Sequence, residues 1–170
     1  MSIPDVLARA QAHPQCTFLP TDSHIIVRRE DERVPDDAAQ FYALCGGAVL
    51  FAGSPGELTI LRPDEVIPAN PVIVGDPGDD DEVSRSTYLI ARTSTGDLLS
   101  IDLSMLRNGR IYDSFHEVHG VVGSWPVIAP SFAAFLEQVW AGQGSLAYWL
   151  PEAGPPGRAF PDAYDEVDIV

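Results

Sequence analysis

Lysine is missing from this sequence of 170 residues: all ten cationic side chains are arginine. Nothing in the chemistry of the chain requires that, and it reads as the codon usage of a GC-rich genome. Positive charge is scarce altogether, with 25 Asp and Glu against those ten arginines and a net charge of −15. A surface this acidic is repelled by phosphate backbones and by anionic membranes, which argues against nucleic acid or a membrane as partner. The same charge favours solubility and attracts basic partners at long range. Cysteine is nearly absent. Cys16 and Cys45 can close at most one disulfide and form no Cys-x-x-Cys pair, so redox and zinc roles lack their usual spacing. No apolar run approaches the roughly 18 residues of a membrane span. The segment Met1–Ala10 has no long apolar stretch behind its charges, unlike a secretion signal. The cytoplasm is the expected compartment, and free thiols are the expected state of both cysteines.

Apolar residues make up 45% of the chain, ordinary for one globular domain with a single core and too many for a disordered chain. Ser2 with Asp5 three residues on reads as a capping box, and Ile3, Val6, Leu7 and Ala10 form an apolar stripe at helical spacing. Residues 14–32 read as a connection with a short extended piece at Ile25–Val27. A second helix follows from Pro35, with Asp36 and Asp37 at its positive end and Ala38, Phe41, Tyr42 and Cys45 on its buried face. Gly46 and Gly47 are predicted to stop it by taking a left-handed cap conformation.

Strands come next. Ala48–Ala52 and Leu58–Leu61 flank the turn composition Gly53-Ser-Pro-Gly-Glu57, a hairpin pattern. Pro63–Ile67 predicts one helical turn, and Val72–Val74 the start of another strand. Tyr88–Thr93 and Leu98–Ser104 are joined by Ser94–Asp97. In the second, Leu99, Ile101 and Leu103 alternate with Ser100, Asp102 and Ser104, the pattern of a half-buried strand. Asn108-Gly109 is a hairpin signal leading into Arg110–Val118. A last helix is expected over about Ser131–Trp140, with Phe132, Phe135, Leu136 and Val139 on one face and Gly142 after it. No internal repeat is present. The expected class is α+β: a single domain over residues 1–150, an antiparallel sheet flanked by helices near both termini, then a Pro/Gly-rich acidic tail over 151–170.

This order of segments resembles the SUKH superfamily, which joins bacterial immunity proteins to the fungal Smi/Knr cell-wall regulators. The resemblance rests on Val34-Pro35, Phe41-Tyr42 and Cys45-Gly46-Gly47, then on Leu61-Arg-Pro-Asp-Glu65 and Val72-Ile-Val-Gly-Asp76. Tyr88-Leu-Ile-Ala91, Thr95-Gly96-Asp97 and Ile128-Ala-Pro-Ser-Phe132 with Phe135-Leu136 complete it. It spans about Arg33 to Val139, and its specificity lies in the order of short motifs. Cys45 departs from it, since the family often has Asn there, as does the tail beyond Gly142. The resemblance implies a protein-binding role and carries over no catalytic residue. It implies an immunity protein that neutralises a cognate polymorphic toxin, or else an intracellular regulatory scaffold without a toxin partner.

The residues that tempt a chemical reading have plainer ones. His116-Glu-Val-His119 lacks the four-residue spacing of a helical zinc motif, and at the end of a strand the two rings would face opposite ways. Asp76–Glu82 lacks the alternating ligands and distant Glu of a calcium loop. Gly53-Ser54-Pro55-Gly56 reads as a turn and not a nucleophile elbow. No phosphate-binding glycine loop occurs, and no cofactor is expected. Trp125, Trp140 and Trp149 read as core more than as pocket. What remains is charge. Asp76, Asp79, Asp80, Asp81 and Glu82 place five carboxylates in seven positions, and Asp162, Asp165, Glu166 and Asp168 add four near the C-terminus. These nine are the candidate partner-binding residues, and the expected partner is a basic toxin domain.

Overall fold

Helix α1 (Ile3–Gln11) starts where its capping box requires. The Ser2 hydroxyl accepts from the Asp5 amide and the Asp5 carboxylate from the Ser2 amide, while Ile3, Val6, Leu7 and Ala10 are buried. The computed structural model describes residues 1–150. Within them lie β1 (Thr17–Phe18), α2 (Asp36–Leu44), β2 (Ala48–Leu50) and β3 (Leu58–Ile60). A 3-10 turn (Pro63–Glu65), α3 (Asn70–Ile73), β4 (Thr87–Thr93), β5 (Leu98–Asp102), β6 (Ile111–Asp113), β7 (Val127–Ala129) and α4 (Phe132–Gly142) follow. The strands form one seven-stranded sheet in chain order, every neighbouring pair antiparallel. Helices α1, α2 and α4 pack together, and their apolar faces share one core with the sheet. The fold is the expected α+β domain. The tail at 151–170 and its four candidate carboxylates lie outside the described residues.

The junction of α2 and α4 shows why these helices sit together. Phe132 meets Phe41 edge-on at 5.2 Å between ring centroids and stacks near Tyr42 at 6.5 Å. Asp37, expected only to complement the start of its own helix, also accepts a 2.7 Å hydrogen bond from the Ala133 amide at the start of α4. The Tyr42 hydroxyl donates to the Leu61 carbonyl at 2.8 Å, tying α2 to the end of β3.

Several expectations are corrected. Val72–Val74 is no strand: α3 ends at Ile73, and Val72 and Val74 are exposed. Pro71 suits a first helical turn, and the partner that a strand there would need is already taken. The lower half of β4 bonds Ile67–Ala69, through Leu89 N–H to Ile67 O and Ala69 N–H to Thr87 O, both 2.9 Å. Ile25–Val27 belongs to no strand, whereas Thr17–Phe18 is one, pairing with Ala48 and Val49. β2 stops at Leu50 because Phe51 turns to φ 55° with its ring buried against Trp140, 5.6 Å away. β6 ends at Asp113, well short of Val118, and α4 runs through Gly142, with Gln143 taking the left-handed cap at φ 46°.

Strand β5 is buried on both faces. Leu99 and Ile101 enter the main core as expected, yet Ser100 and Asp102 are equally inaccessible. Ser100 lies opposite Tyr112, whose ring stacks on Trp125 at 3.9 Å in a second apolar cluster with Val127. Partners compensate the buried polarity: the Ser100 and Ser114 hydroxyls share a hydrogen bond, and Asp102 accepts from the Ser104 amide and from Arg107. Burial pushes the Asp102 carboxyl above the usual carboxylate range.

Gly46 is needed for a different reason from the one the sequence suggests. The positive φ falls on Gly47, at 120°, while Cys45 leaves the helix in an extended conformation. A Cβ on Gly46 would stand 1.9 Å from the Pro20 carbonyl oxygen, because the Gly46 amide donates to Leu19 O at 2.8 Å and draws the two backbones together. Gly46→Val therefore must push the segment after β1, at Pro20-Thr21, away from the end of α2. We expect a loss of about 3 kcal/mol, read by urea denaturation. An unchanged midpoint would show that this close approach does not hold the fold.

Candidate partner-binding site

The run Asp76–Glu82 leaves α3 and returns to β4, and the chain fixes it from beneath. The buried amide of Asn70 donates to the Pro77 carbonyl and to Glu82, each at 3.4 Å. Its oxygen meets Nε2 of buried His119 at 2.8 Å, and the His119 ring abuts Trp125 edge-on at 4.8 Å. The Asp76 carboxylate accepts from the Gly78 amide at 2.9 Å, and Gly78 has φ 75° with no room for a Cβ beside Glu82 and Asn70. Two ion pairs close the rim, Arg29 with Asp80 and Arg85 with Asp31. The guanidinium of Arg29 holds the Asp80 carboxyl below its ordinary range.

Structure thus brings Asp76, Asp79, Asp80, Asp81 and Glu82 together on one exposed loop. They are not equivalent. Glu82 and Asp76 organise the loop and Asp80 is paired, whereas Asp79 and Asp81 make no ion pair among the described residues. Asp162, Asp165, Glu166 and Asp168 lie outside the described residues.

Sequence reasoning missed the apolar side of this face. A cleft of about 620 Å³ runs beside the loop, its charged lining Asp31, Asp81 and Glu82 with Arg85 and Arg107, its apolar lining Met105 and Leu106 with Val83. Met105 is 61% and Leu106 72% exposed, large apolar side chains standing in water beside carboxylates. The available signal was the apolar pair Met105-Leu106, one residue ahead of Asn108-Gly109, where a turn sequence is ordinarily polar. Exposed apolar anchors ringed by charge are features of protein-binding surfaces.

The remaining chemical candidates resolve into structural roles. Phe115–His119 is a helical turn beyond β6, with Val118 and His119 amides bonded to Phe115 O, so the strand-end premise for the two histidines is replaced. His119 is packed against Asn70 and Trp125, while His116 is exposed. Gly53–Gly56 forms the β2–β3 turn, and Trp125 and Trp149 are buried. Both cysteines are free, Cys45 buried and Cys16 partly so. Among the described residues no group of three His, Cys, Asp or Glu side chains is placed to hold a metal ion, and no helix is long and apolar enough to cross a membrane.

The fold and the site together define the class as an α+β domain whose exposed acidic loop is braced beside exposed apolar side chains. The whole chain is similar to the Immunity protein YokJ of Bacillus subtilis (strain 168), 34% identical over 169 residues that cover 99% of each chain. At that identity and coverage, the chain belongs to the immunity-protein family that includes YokJ. No family model and no solved structure matches it.

His119 gives the site a measurable pH signature. Burial lowers its pKa to about 4, against an ordinary value near 6.5. Between these values the unfolded chain binds the proton and the folded chain does not, so stability falls as pH drops from about 6.5 to 4. His119→Gln removes that contribution. The stability gap between wild type and variant, measured by urea denaturation, is expected to shift in the variant's favour by about 3 kcal/mol across the window. Parallel loss in both chains would assign the titration to another group.

Proposed function

We propose that this chain is a non-catalytic immunity protein that binds a cognate polymorphic toxin in the cytoplasm and blocks it. The observation that carries the reading is the end-to-end similarity to YokJ. The antiparallel sheet, the flanking helices and the order of motifs from Val34-Pro35 to Phe135-Leu136 support a place in the SUKH superfamily, with a domain over residues 1–150 and a tail over 151–170.

The partner is a basic protein domain and not a nucleic acid. A net charge of −15 draws a cationic surface in and turns a polyanion away. The loop Asp76–Glu82 is the steering element. Met105 and Leu106 beside it supply apolar contact, and Asp162, Asp165, Glu166 and Asp168 add to the same field. Charges at an exposed rim act chiefly on association rate, and buried anchors act on dissociation.

Expressing each protein encoded beside this gene in a heterologous host, with and without this chain, tests the function. Growth arrest relieved only by co-expression is the expected result; no relief for any neighbour would remove the reading. With the toxin in hand, Asp79→Asn combined with Asp81→Asn should slow association several-fold at low salt and flatten its salt dependence. Dissociation should change little in surface-plasmon measurements. An unaltered association rate would move the steering surface elsewhere.

A further inference from the structure

The opposite end of the sheet carries a second surface that the sequence did not announce. Strands β4 and β5 run from Thr87 and Asp102, near the acidic loop, to Thr93 and Leu98, where a groove of about 460 Å³ opens. Leu58 and Val139 lie in its lining. One wall is the chain after α4, and it is firmly held. The Gly56 amide donates to Gly144 O at 2.9 Å, the Tyr148 hydroxyl donates to Ile128 O at 2.6 Å, and Trp149 is buried near Phe135. The turn Thr93–Asp97 forms another wall, closed by backbone bonds between its ends. Phe115 and Leu146 line the groove at 45% and 39% exposure, so two large apolar side chains stand open to a visitor.

Every charged residue lining this groove is a carboxylate: Glu57, Asp97 and Asp113. None of the three is in an ion pair among the described residues. Asp113 pairs with Leu99 across β5 and β6, which sets it beside the turn bearing Asp97. Burial, and then the charge of Asp97, push its pKa up to about 6. A carboxylate so placed is costly when ionised, and the charge of a cation brought against it offsets that cost.

We propose that this groove seats a cationic–apolar segment of the partner, an arginine or lysine beside Asp97 and Asp113 with a neighbouring apolar side chain against Leu58, Val139 and Leu146. That the partner is a toxin rests on the immunity reading. Charge selects this occupant over the alternatives. A second copy of the chain brings another −15, and the residues after Leu150 carry five carboxylates against one arginine, so both repel the groove's own charge.

The full-length protein, labelled with nitrogen-15, is titrated with the synthetic peptide acetyl-Leu-Arg-Leu-Arg-Phe-amide and with its Glu-for-Arg counterpart. Saturable shifts at Thr93–Asp97, Asp113–Phe115 and Ser145–Trp149 with the arginine peptide alone are expected. Asp113→Asn and, separately, the surface change Leu146→Asp should each weaken binding at least fivefold, with melting curves confirming that both variants fold. Glu30→Gln, far from the groove, should not weaken it. Absent shifts, shifts confined to Asp76–Glu82, or equal shifts with the Glu peptide overturn the proposal. So do nuclear Overhauser contacts from the groove to Phe160 or Tyr164, or a dimer that buries it. If both variants neutralise the toxin as well as wild type does, the groove is wrong and the immunity reading stands. If the chain protects against no toxin, the immunity reading falls, and the peptide titration still decides whether the groove takes a cationic–apolar segment.

Discussion

The start of helix α4 is the constraint on which the arrangement depends. Its first turn enters the core behind fully buried Phe132, and its half-buried residues Ala133 and Ala134 carry N–H groups that have no partner within the helix. Two side chains satisfy them: the Ser131 hydroxyl accepts from the Ala134 amide, and the Asp37 carboxylate accepts from Ala133. The second comes from another helix, so capping α4 also fixes α2 against it. With that distance set, Phe41, Tyr42 and Phe132 interlock, and Tyr42 reaches the Leu61 carbonyl to orient the sheet. The far end of α4 then supplies Val139 to the groove and leads into its Ser145–Leu150 wall. A capping bond at one end of a helix thereby helps position the groove at the other.

What could be read in advance divides along a physical line. The ends of α1 and α4 are written locally, in Ser2 with Asp5 and in Ser131, and so were the Asn108-Gly109 turn and the alternation in β5. Strands β1 and β7, of two and three residues, are too short to show a period. They exist because an existing edge accepts them. Val72–Val74 has β-branched composition, but a strand needs a partner, and Ile67–Ala69 had already filled that side of β4. The burial of Ser100 and Asp102 depends on Tyr112, Trp125 and Val83 covering that face, a contact between segments that no window around β5 contains. Of the candidate site, composition revealed the carboxylates. The exposure of Met105 and Leu106 and the groove around Asp113 depend on which residues the fold leaves uncovered.

Arginine usage shows how an excess of carboxylates is organised. With 25 acidic residues against ten arginines, carboxylates outnumber the arginines by fifteen, and Arg29 and Arg62 each serve two of them. Three arginine ion pairs brace long-range contacts, Arg29 to Asp80, Arg85 to Asp31 and Arg62 to Asp22, while Arg107 pairs locally with buried Asp102. The first two span 51 and 54 residues and hold the acidic loop against the segment before α2. Exposed pairs of this kind contribute little to stability individually. Their consequence here is geometric, since they keep the loop from spreading under its own repulsion while leaving Asp79 and Asp81 outward.

The two acidic surfaces then differ in kind, because water treats them differently. Asp79 and Asp81 are solvated, so their field reaches outward and is screened over about 8 Å at physiological salt. Such charges cost the free protein little. Asp113 is largely withdrawn from water and lies beside Asp97, so the free protein bears an unfavourable charge that solvent relieves only in part. On the proposed reading a cation seated there would offset that cost and a neutral group would not, so the difference would appear in the complex and not in the encounter. An immunity protein has both to reach its toxin quickly and to retain it. On the proposed reading, solvated carboxylates at one end of β4 and β5 and a partly buried one at the other would let these two requirements rest on different residues.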